Sequence, residues 1–162
     1  MDTDAVDRDL DQTVDSSTSW APFYVHSSMA DPEPYRLPIS VKAVLVDAGR
    51  ACLLFNERDQ WELPGGRLER GERPEDCLVR EVREEIGLEP VVEQLVDARA
   101  FRPVPGKEVF VLVYRCRLAA PGAVVLSPEH REVGWFSPAQ WDSLALPAGY
   151  LTSLKRAFNP GP

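Results

Sequence analysis

Three glutamates, Glu81, Glu84 and Glu85, stand close together in the segment VREVREEIGL. If this segment is helical, the carboxylates lie on adjacent turns, and each like-charged pair costs only a few tenths of a kcal/mol. Arg80 can offset Glu84, which lies four residues further along. A solvated charged face is therefore one interpretation. The other is a cation site, because clustered carboxylates supply the oxygen ligands that a hard divalent cation prefers.

The residues before this segment favour the cation site. Pro64, Gly65 and Gly66 form a break where the backbone can adopt conformations closed to other residues. A loop that contains Glu72 follows, and such a loop before a carboxylate helix suits an ion that also binds substrate phosphates. Magnesium or manganese fits these oxygen ligands, whereas zinc prefers groups of Cys and His side chains, which are missing here.

Residues 66–88 resemble the Nudix box, G-x5-E-x7-R-E-U-x-E-E-x-G-U, in which U is an aliphatic residue. Every specified position matches, and the matching residues are Gly66, Glu72, Arg80, Glu81, Val82, Glu84, Glu85, Gly87 and Leu88. The preceding WELPGGRLERGE also resembles the usual lead-in of the family. Residues 39–158 look like one whole Nudix domain.

The resemblance implies an α/β/α sandwich around a mixed β-sheet. It implies an enzyme, a pyrophosphohydrolase that cleaves a nucleoside diphosphate linked to another moiety when water attacks phosphorus. The implied cofactor is Mg²⁺, with Mn²⁺ as a substitute, because a bound cation neutralises phosphate charge and lowers the pKa of a bound water. The implied partner is a small-molecule nucleotide. Many relatives pair, so the resemblance also implies a homodimer.

The resemblance assigns the metal ligands residue by residue. Glu81 and Glu85 become the main ligands, Glu84 a further ligand or the general base, and the Gly65 carbonyl another ligand.

Two other members of the box, Arg80 and Glu72, are expected to form an ion pair that orients the carboxylates. Glu69, in the loop just before Glu72, either binds metal through water or is a solvated loop acid.

A second source of the general base lies further along the chain, where SPEHREVGWF resembles the region that supplies the base in some members of the family. Glu129 is the first candidate there, as base and metal ligand, and Glu132 is the second. An ordinary polar entry to a strand explains either residue equally well. His130 is predicted to be a surface residue.

The box indicates diphosphate chemistry, but it does not specify which group is attached to the diphosphate. Pro103 stands near the position where ADP-ribose hydrolases carry a proline, but FRPVPGK also reads as a strand connection that needs prolines for its turn. Four aromatic residues either stack on a base or belong to the core, namely Trp61, Phe101, Phe110 and Tyr114. ADP-ribose-like and nucleoside triphosphate substrates both stay open.

Two alternative functions share the same fold. A module that binds nucleotide without cleaving it would be expected to lack part of the carboxylate set, which is complete here. An isoprenyl diphosphate isomerase would need a reactive cysteine, whereas the cysteines of this chain lie in apolar runs.

The hydrophobic pattern predicts the elements that position these groups. SVKAVLVD and ACLLF read as strands joined by a hairpin turn at 47–50, and WEL precedes the glycine break. A helix begins at Pro74 and ends at Gly87, with an apolar stripe that faces the core. Further strands are predicted at 91–101, at 108–118 and in REVGWF, and helices in SPAQWDSL and AGYLTSLKRAF.

Charge divides the chain of 162 residues into an acidic tail, residues 1–35, and a single Nudix domain, residues 36–162. The tail holds eight acids and one base, a net charge of −7, which leaves −1 for the rest of a chain whose total is −8. A near-neutral body offers no electrostatic footprint for duplex nucleic acid. The polar tail is predicted to be mobile, although WAPFYV could pack as an arm.

No apolar run is long enough for a signal peptide or a membrane span, which predicts a cytoplasmic protein. The three cysteines, Cys52, Cys77 and Cys116, are widely spaced, and they are predicted to be buried free thiols.

Overall fold

A computed structural model of the protein describes residues 34–159. The predictions for the acidic tail, including the arm of Trp20, Phe23 and Tyr24, fall on residues outside this range. In chain order the elements are strands β1 (Ile39–Asp47), β2 (Arg50–Phe55) and β3 (Trp61–Glu62), helix α1 (Pro74–Ile86), strands β4 (Pro90–Val104), β5 (Lys107–Leu118) and β6 (Glu132–Phe136), a 3₁₀ helix (Pro138–Ser143) and helix α2 (Ala148–Phe158).

The strands form one mixed sheet with the order β3-β2-β1-β5-β4, and β6 pairs with β2. Strands β1 and β5 run parallel in the register Val41↔Leu112, while the other pairs are antiparallel. Parallel strands are usually covered on both faces. In agreement, β1 is buried without interruption from Val41 to Leu45.

Each face of the sheet packs against one helix. On one face, Leu78, Val82 and Ile86 of α1 pack with alternate residues of β1 and β2 in a first core. On the other face, Tyr150 and Leu154 of α2 contribute to a second core. The structure therefore confirms the predicted α/β/α arrangement around a mixed sheet.

Helix α1 has the ends that its sequence predicts. Pro74 occupies the first turn together with Glu75 and Asp76, whose charges suit the positive end of a helix. Gly87 adopts the left-handed conformation, with φ of 69°, and its N–H closes the last turn on the carbonyl of Arg83. The helix therefore ends at a defined residue, directly after the turns that carry the three glutamates.

The region predicted to connect β4 and β5 is mostly strand. β4 continues through Pro103 to Val104, and the chain turns at Pro105 and Gly106, where φ of Gly106 is +79°. Pro103 lies where the pairing shifts register between Phe101 and Val104, and such an irregularity tolerates a residue without an N–H. The prediction of a loop here was wrong because prolines were taken to end the strand.

The segment after β6 forms a 3₁₀ helix, Pro138–Ser143, and α2 is separate from it. Ser137 and Gln140 form a capping box at its start.

In the described part of the chain, no helix is long and apolar enough to cross a membrane. Three cysteines are free and buried as predicted, namely Cys52, Cys77 and Cys116.

Candidate active site

The loop between β3 and α1 is attached to the central strand. The N–H of Val41 donates to the Gly66 carbonyl and the N–H of Ala43 donates to the Pro64 carbonyl, both at 2.8 Å. Gly65 has a φ of +119°, and a Cβ at this position would lie 2.3 Å from the carbonyl oxygen of Val41. Only glycine fits this close approach, so the Gly-Gly break is a consequence of packing.

The two glycines also contact the helix carboxylates. The N–H of Gly65 donates to Oε2 of Glu85 at 2.7 Å, which joins the loop to α1. A Cβ on Gly66 would lie only 2.4 Å from the carboxylate of Glu81. The absence of side chains at these positions leaves room for both carboxylates against the loop backbone.

Arg80 lies at the centre of the other carboxylates. Its guanidinium donates to Glu72 through Nε at 2.9 Å and Nη2 at 3.0 Å, which is the expected ion pair. Through Nη1 it also reaches Glu81 at 2.8 Å and Glu84 at 3.3 Å. Helical spacing also suggested the contact with Glu84, but it did not reveal that the long side chain of Arg80 reaches Glu81 as well.

The contacts between Arg80 and Glu72 change the pKa of both groups. The hydrogen bonds from Arg80 lower the pKa of Glu72 to about 2, because they stabilise the ionised carboxylate. The same bonds raise the pKa of Arg80. Both groups are therefore charged near neutral pH.

Glu85 differs from its neighbours because it is buried. Burial raises its pKa to about 7, although the charge of Lys42 and the hydrogen bond from Gly65 act in the opposite direction. By contrast, the side chain of Glu84 is 61% exposed. The two adjacent glutamates thus differ in environment, since Glu85 is buried and Glu84 faces solvent.

Sequence reasoning missed two charged residues next to Glu85. Lys42 is buried in β1, and its ammonium donates to the Gly65 carbonyl. Burial alone would lower the pKa of Lys42, but the surrounding groups, Tyr150, Glu62 and Glu85 among them, raise it overall. A lysine inside the apolar run VKAVLV was the available signal. Glu62 lay in the short segment WEL and carried no comparable signal.

His130 is a third such residue, and the prediction that it lies on the surface was wrong. Its side chain is only 7% exposed; Nε2 lies 3.2 Å from Glu62 and 3.8 Å from Glu85. The hydrogen bond with Glu62 raises the pKa of His130. The segment before it is pinned to the helix end by a hydrogen bond from the Ser127 N–H to the Glu85 carbonyl, at 2.8 Å, and a single histidine in a sequence does not reveal such a contact.

The remaining candidate acids lie on the surface. Glu129 and Glu132 are exposed on either side of the buried His130, and within residues 34–159 neither makes a hydrogen bond or ion pair with the helix carboxylates. Glu69 is exposed as well, and its backbone N–H donates to Glu72 at 3.1 Å. The structure therefore gathers Glu72, Glu81, Glu84, Glu85 and Gly65 around Arg80 and the loop, whereas it leaves these three acids outside.

The donor set fits magnesium or manganese by its chemistry. Glu81, Glu84, Glu85 and the Gly65 carbonyl offer only oxygen atoms, which these hard cations prefer. Gly66 leaves space beside Glu81 that any side chain would fill. In the described part of the chain, no three Asp, Glu, His or Cys side chains already surround one point, since Arg80 and Gly65 engage the carboxylates.

A cavity of about 370 Å³ has Glu62 in its wall, and His130 contacts both Glu62 and Glu85 of the helix. Phe101 and Pro103 line it, as does Tyr150 of α2. The other aromatic candidates lie elsewhere: Trp61 packs between Phe55 and Phe136, with ring centroids 5.1 and 4.6 Å away, and it belongs to the second core.

Comparison with known proteins finds one domain family and several proteins of similar sequence or fold. A family profile described as the NUDIX domain matches residues 36–155. A MutT-like protein of Streptomyces ambofaciens is 34% identical over 102 residues, which cover 62% of this chain and 64% of that protein. Nucleoside triphosphatase NudI of Escherichia fergusonii is 30% identical over 108 residues, which cover 56% of this chain and 76% of that protein.

A solved structure agrees with these matches. The crystal structure of MutT protein from Methanosarcina mazei Go1 is similar with a TM-score of 0.67 and 27% identity, covering 76% of this chain and 94% of that one. The chain spans less than two thirds of the Streptomyces ambofaciens protein.

Proposed function

The chain belongs to the Nudix family, whose members are pyrophosphohydrolases, and from this premise we propose that it hydrolyses a nucleoside triphosphate or an ADP-ribose-like substrate with the help of Mg²⁺. The observation that carries the proposal is the contact of Gly65 and Gly66 with Glu85 and Glu81. These contacts hold two carboxylates of the C-terminal half of α1 against the loop backbone. A metal there supplies charge neutralisation on the diphosphate and a water of lowered pKa.

The roles of the residues follow from their surroundings. Glu81, Glu85 and the Gly65 carbonyl would hold the metal, because both carboxylates lie against the loop that contains Gly65. Glu84 serves as a further ligand or as the general base, because its side chain is 61% exposed and can turn toward water. Arg80 holds Glu72 and Glu81 in place through its fork of hydrogen bonds.

Glu129 is the alternative base and ligand, and Glu132 comes after it. Glu129 is two residues beyond Ser127, which binds the carbonyl of Glu85, so its loop starts at the helix end. Its exposed side chain would have to turn toward the substrate to act.

Two observations bear on the substrate. Sequence similarity to nucleoside triphosphatase NudI supports a nucleoside triphosphate. Pro103, at the position where ADP-ribose hydrolases carry a proline, lies in the wall of the cavity beside Glu62, which supports an ADP-ribose-like substrate. Both are nucleotides with a diphosphate bond, and one panel of substrates separates them.

The alternative functions have less support. A sensing module needs no complete set of carboxylates, and this chain keeps all of them. An isomerase needs a reactive thiol, but burial raises the pKa of Cys52, Cys77 and Cys116 to about 12.

Hydrolysis with purified protein and Mg²⁺ tests the proposal. The panel consists of nucleoside triphosphates, ADP-ribose, diadenosine polyphosphates and nucleotide sugars, and at least one should release a nucleoside monophosphate. Glu85→Gln should lose nearly all of this activity, because an amide cannot replace an anionic ligand. Glu89→Gln is the matched control, since Glu89 is exposed and pairs only with Arg83 in the described part of the chain.

The result separates the alternatives. Binding of nucleotides without cleavage of any panel member would contradict the hydrolase and support the sensing module. Sedimentation of the same preparation tests the homodimer that we propose from the family resemblance.

A further inference from the structure

The cavity beside the carboxylates contains polar groups whose hydrogen-bonding needs can be counted. It adjoins the proposed metal site through Glu62, since His130 contacts both Glu62 and Glu85. A substrate group in this cavity would therefore sit next to the diphosphate. Its volume of about 370 Å³ lies in the range of small-molecule sites.

Most polar side chains of the wall are already engaged. Oδ1 of Asn56 accepts the backbone N–H groups of Arg58 at 2.9 Å and Gln60 at 3.2 Å. The guanidinium of Arg58 pairs with Glu57 at 3.3 Å and lies 3.7 Å from Glu62.

Arg102 and Glu62 are engaged as well. Arg102 pairs with Glu108 at 3.2 Å. The carboxylate of Glu62 accepts hydrogen bonds from His130 and Asn56. None of these groups needs a ligand to satisfy its hydrogen bonds.

Gln60 is different. Its backbone is fixed, because its N–H donates to Asn56 and its carbonyl accepts the Asn56 N–H at 3.0 Å. Its side-chain amide, in contrast, has no hydrogen-bond partner among residues 34–159, although the residue is half-buried in the cavity wall. A fixed backbone with an unpaired amide presents one donor and one acceptor to whatever enters the cavity.

An aromatic pair forms another part of the wall. The rings of Phe101 and Tyr150 lie 5.2 Å apart at an interplanar angle of 36°. The guanidinium of Arg99 lies 5.9 Å from the centre of the Phe101 ring. Because Tyr150 is only 5% exposed, the half-buried ring of Phe101 supplies most of the apolar surface that this pair offers to a flat ligand.

A flat apolar surface together with a single unpaired amide suits a nucleobase. An amide pairs with a donor and an acceptor that lie side by side, and adenine presents such a pair, N6–H and N7, on its outer edge. The corresponding edge of guanine has two acceptors, O6 and N7, which match an arginine fork, and guanine would pair with an amide only by turning its N1–H and O6 toward it. Both arginines of this cavity are already paired with glutamates.

We propose that this cavity binds the adenine base of the nucleotide substrate and that Gln60 is a specificity-determining residue. The inference rests on the proposed hydrolase function, and it names the substrate class within that function. The base lies against Phe101, the amide of Gln60 pairs with its edge, and the diphosphate extends past Glu62 toward α1.

Substitution of Gln60 tests the inference without disturbing the fold, since its side chain supports no other residue of the described chain. In Gln60→Glu, two acceptors replace a donor and an acceptor, so N7 of adenine loses its partner. Initial rates with ATP and GTP give the ratio of kcat/KM for adenine over guanine. The wild type should prefer ATP, and Gln60→Glu should lower the ratio by about 10-fold or more.

Gln94→Glu is the matched control, because Gln94 is exposed on β4 and lines a different cavity. It introduces the same charge and should leave the ratio unchanged. Gln60→Ala should lower kcat/KM for ATP and bring the ratio of kcat/KM for adenine over guanine toward one. A wild-type preference for GTP, or a ratio that Gln60→Glu does not change, would overturn the inference.

Binding gives a readout that does not depend on turnover. Calorimetric titration of the Glu85→Gln variant with AMP and GMP should show tighter binding of AMP, and adding Gln60→Glu should remove that difference. If the wild type cleaves nucleotides but AMP and GMP bind equally, the role of Gln60 is wrong and the hydrolase proposal stands. If AMP binding depends on Gln60 but nothing is cleaved, the hydrolase proposal fails and the adenine cavity stands.

Discussion

Replacing Gly65 with alanine should unfold the protein more readily than any other Gly→Ala change in the described chain. The new Cβ would lie 2.3 Å from the Val41 carbonyl oxygen and 3.0 Å from Cα of Lys42, both backbone atoms of the central strand. These atoms cannot rotate away as a side chain can. The loop must therefore move off β1, and the hydrogen bonds that attach it are lost.

The size of the effect follows from two contributions. A non-glycine residue held at a φ of +119° stores backbone strain of about 1–3 kcal/mol. Loss of the two backbone hydrogen bonds from Val41 and Ala43 adds about 1 kcal/mol each. The free energy of unfolding should fall by about 3–5 kcal/mol, and the melting temperature by roughly 6–20 °C for a domain of this size.

Two other glycines separate the contributions. Gly106 has a φ of +79° and open space around its Cβ position, so Gly106→Ala measures strain alone. A Cβ on Gly66 meets only the end of the Glu81 side chain, which can turn away. Gly66→Ala should therefore melt within a few degrees of the wild type but lose activity about 10- to 100-fold, as expected when the support of a metal ligand is disturbed.

Thermal and urea unfolding of the three variants, followed by circular dichroism, measures these differences. Equal melting temperatures for Gly65→Ala and Gly106→Ala would refute the close contact with β1. Full activity of Gly66→Ala would refute the position of Glu81 against the loop.

Three further predictions concern buried groups. In the metal-free protein Glu85 keeps its proton up to about pH 7, against a usual value of 4.5, so the free energy of unfolding should fall as pH rises between these values. Urea unfolding at several pH values should show that Glu85→Gln removes this part of the slope, about 3 kcal/mol in total. Asp97, which accepts from Ser153 at 2.8 Å and from Arg156 at 2.5 Å, holds α2 to β4, so Asp97→Ala should cost about 3 kcal/mol by thermal unfolding with little change in kcat. Iodoacetamide at pH 8 should leave all three thiols unmodified until urea unfolds the protein, as mass spectrometry will show.

The sequence predicted the parts of the fold and site that depend on local pattern. Short apolar, β-rich runs indicated β1 and β2, and Pro74 and Gly87 marked the ends of α1. The box placed Arg80 and Glu72 on one helix and its preceding loop, and the structure pairs them. These features arise from neighbours along the chain or from one motif.

The parts that sequence reasoning missed depend on contacts between distant segments. Lys42 and Gly65 are 23 positions apart, and Glu62 and His130 are 68 apart, so no local pattern reveals their contact. The extension of β4 through Pro103 likewise depends on pairing with β5, which provides the irregular register that a proline requires. Such features follow from tertiary packing, which overrides local preference.

The attachment of the Gly-Gly loop to β1 has a consequence for motion at the site. The amides of Val41 and Ala43 can exchange with solvent only when the loop lifts, and the same event uncovers the most deeply buried strand of the sheet. We therefore expect the loop to open about as rarely as the whole domain unfolds, and slow hydrogen exchange at the amides of Val41 and Ala43 would show it.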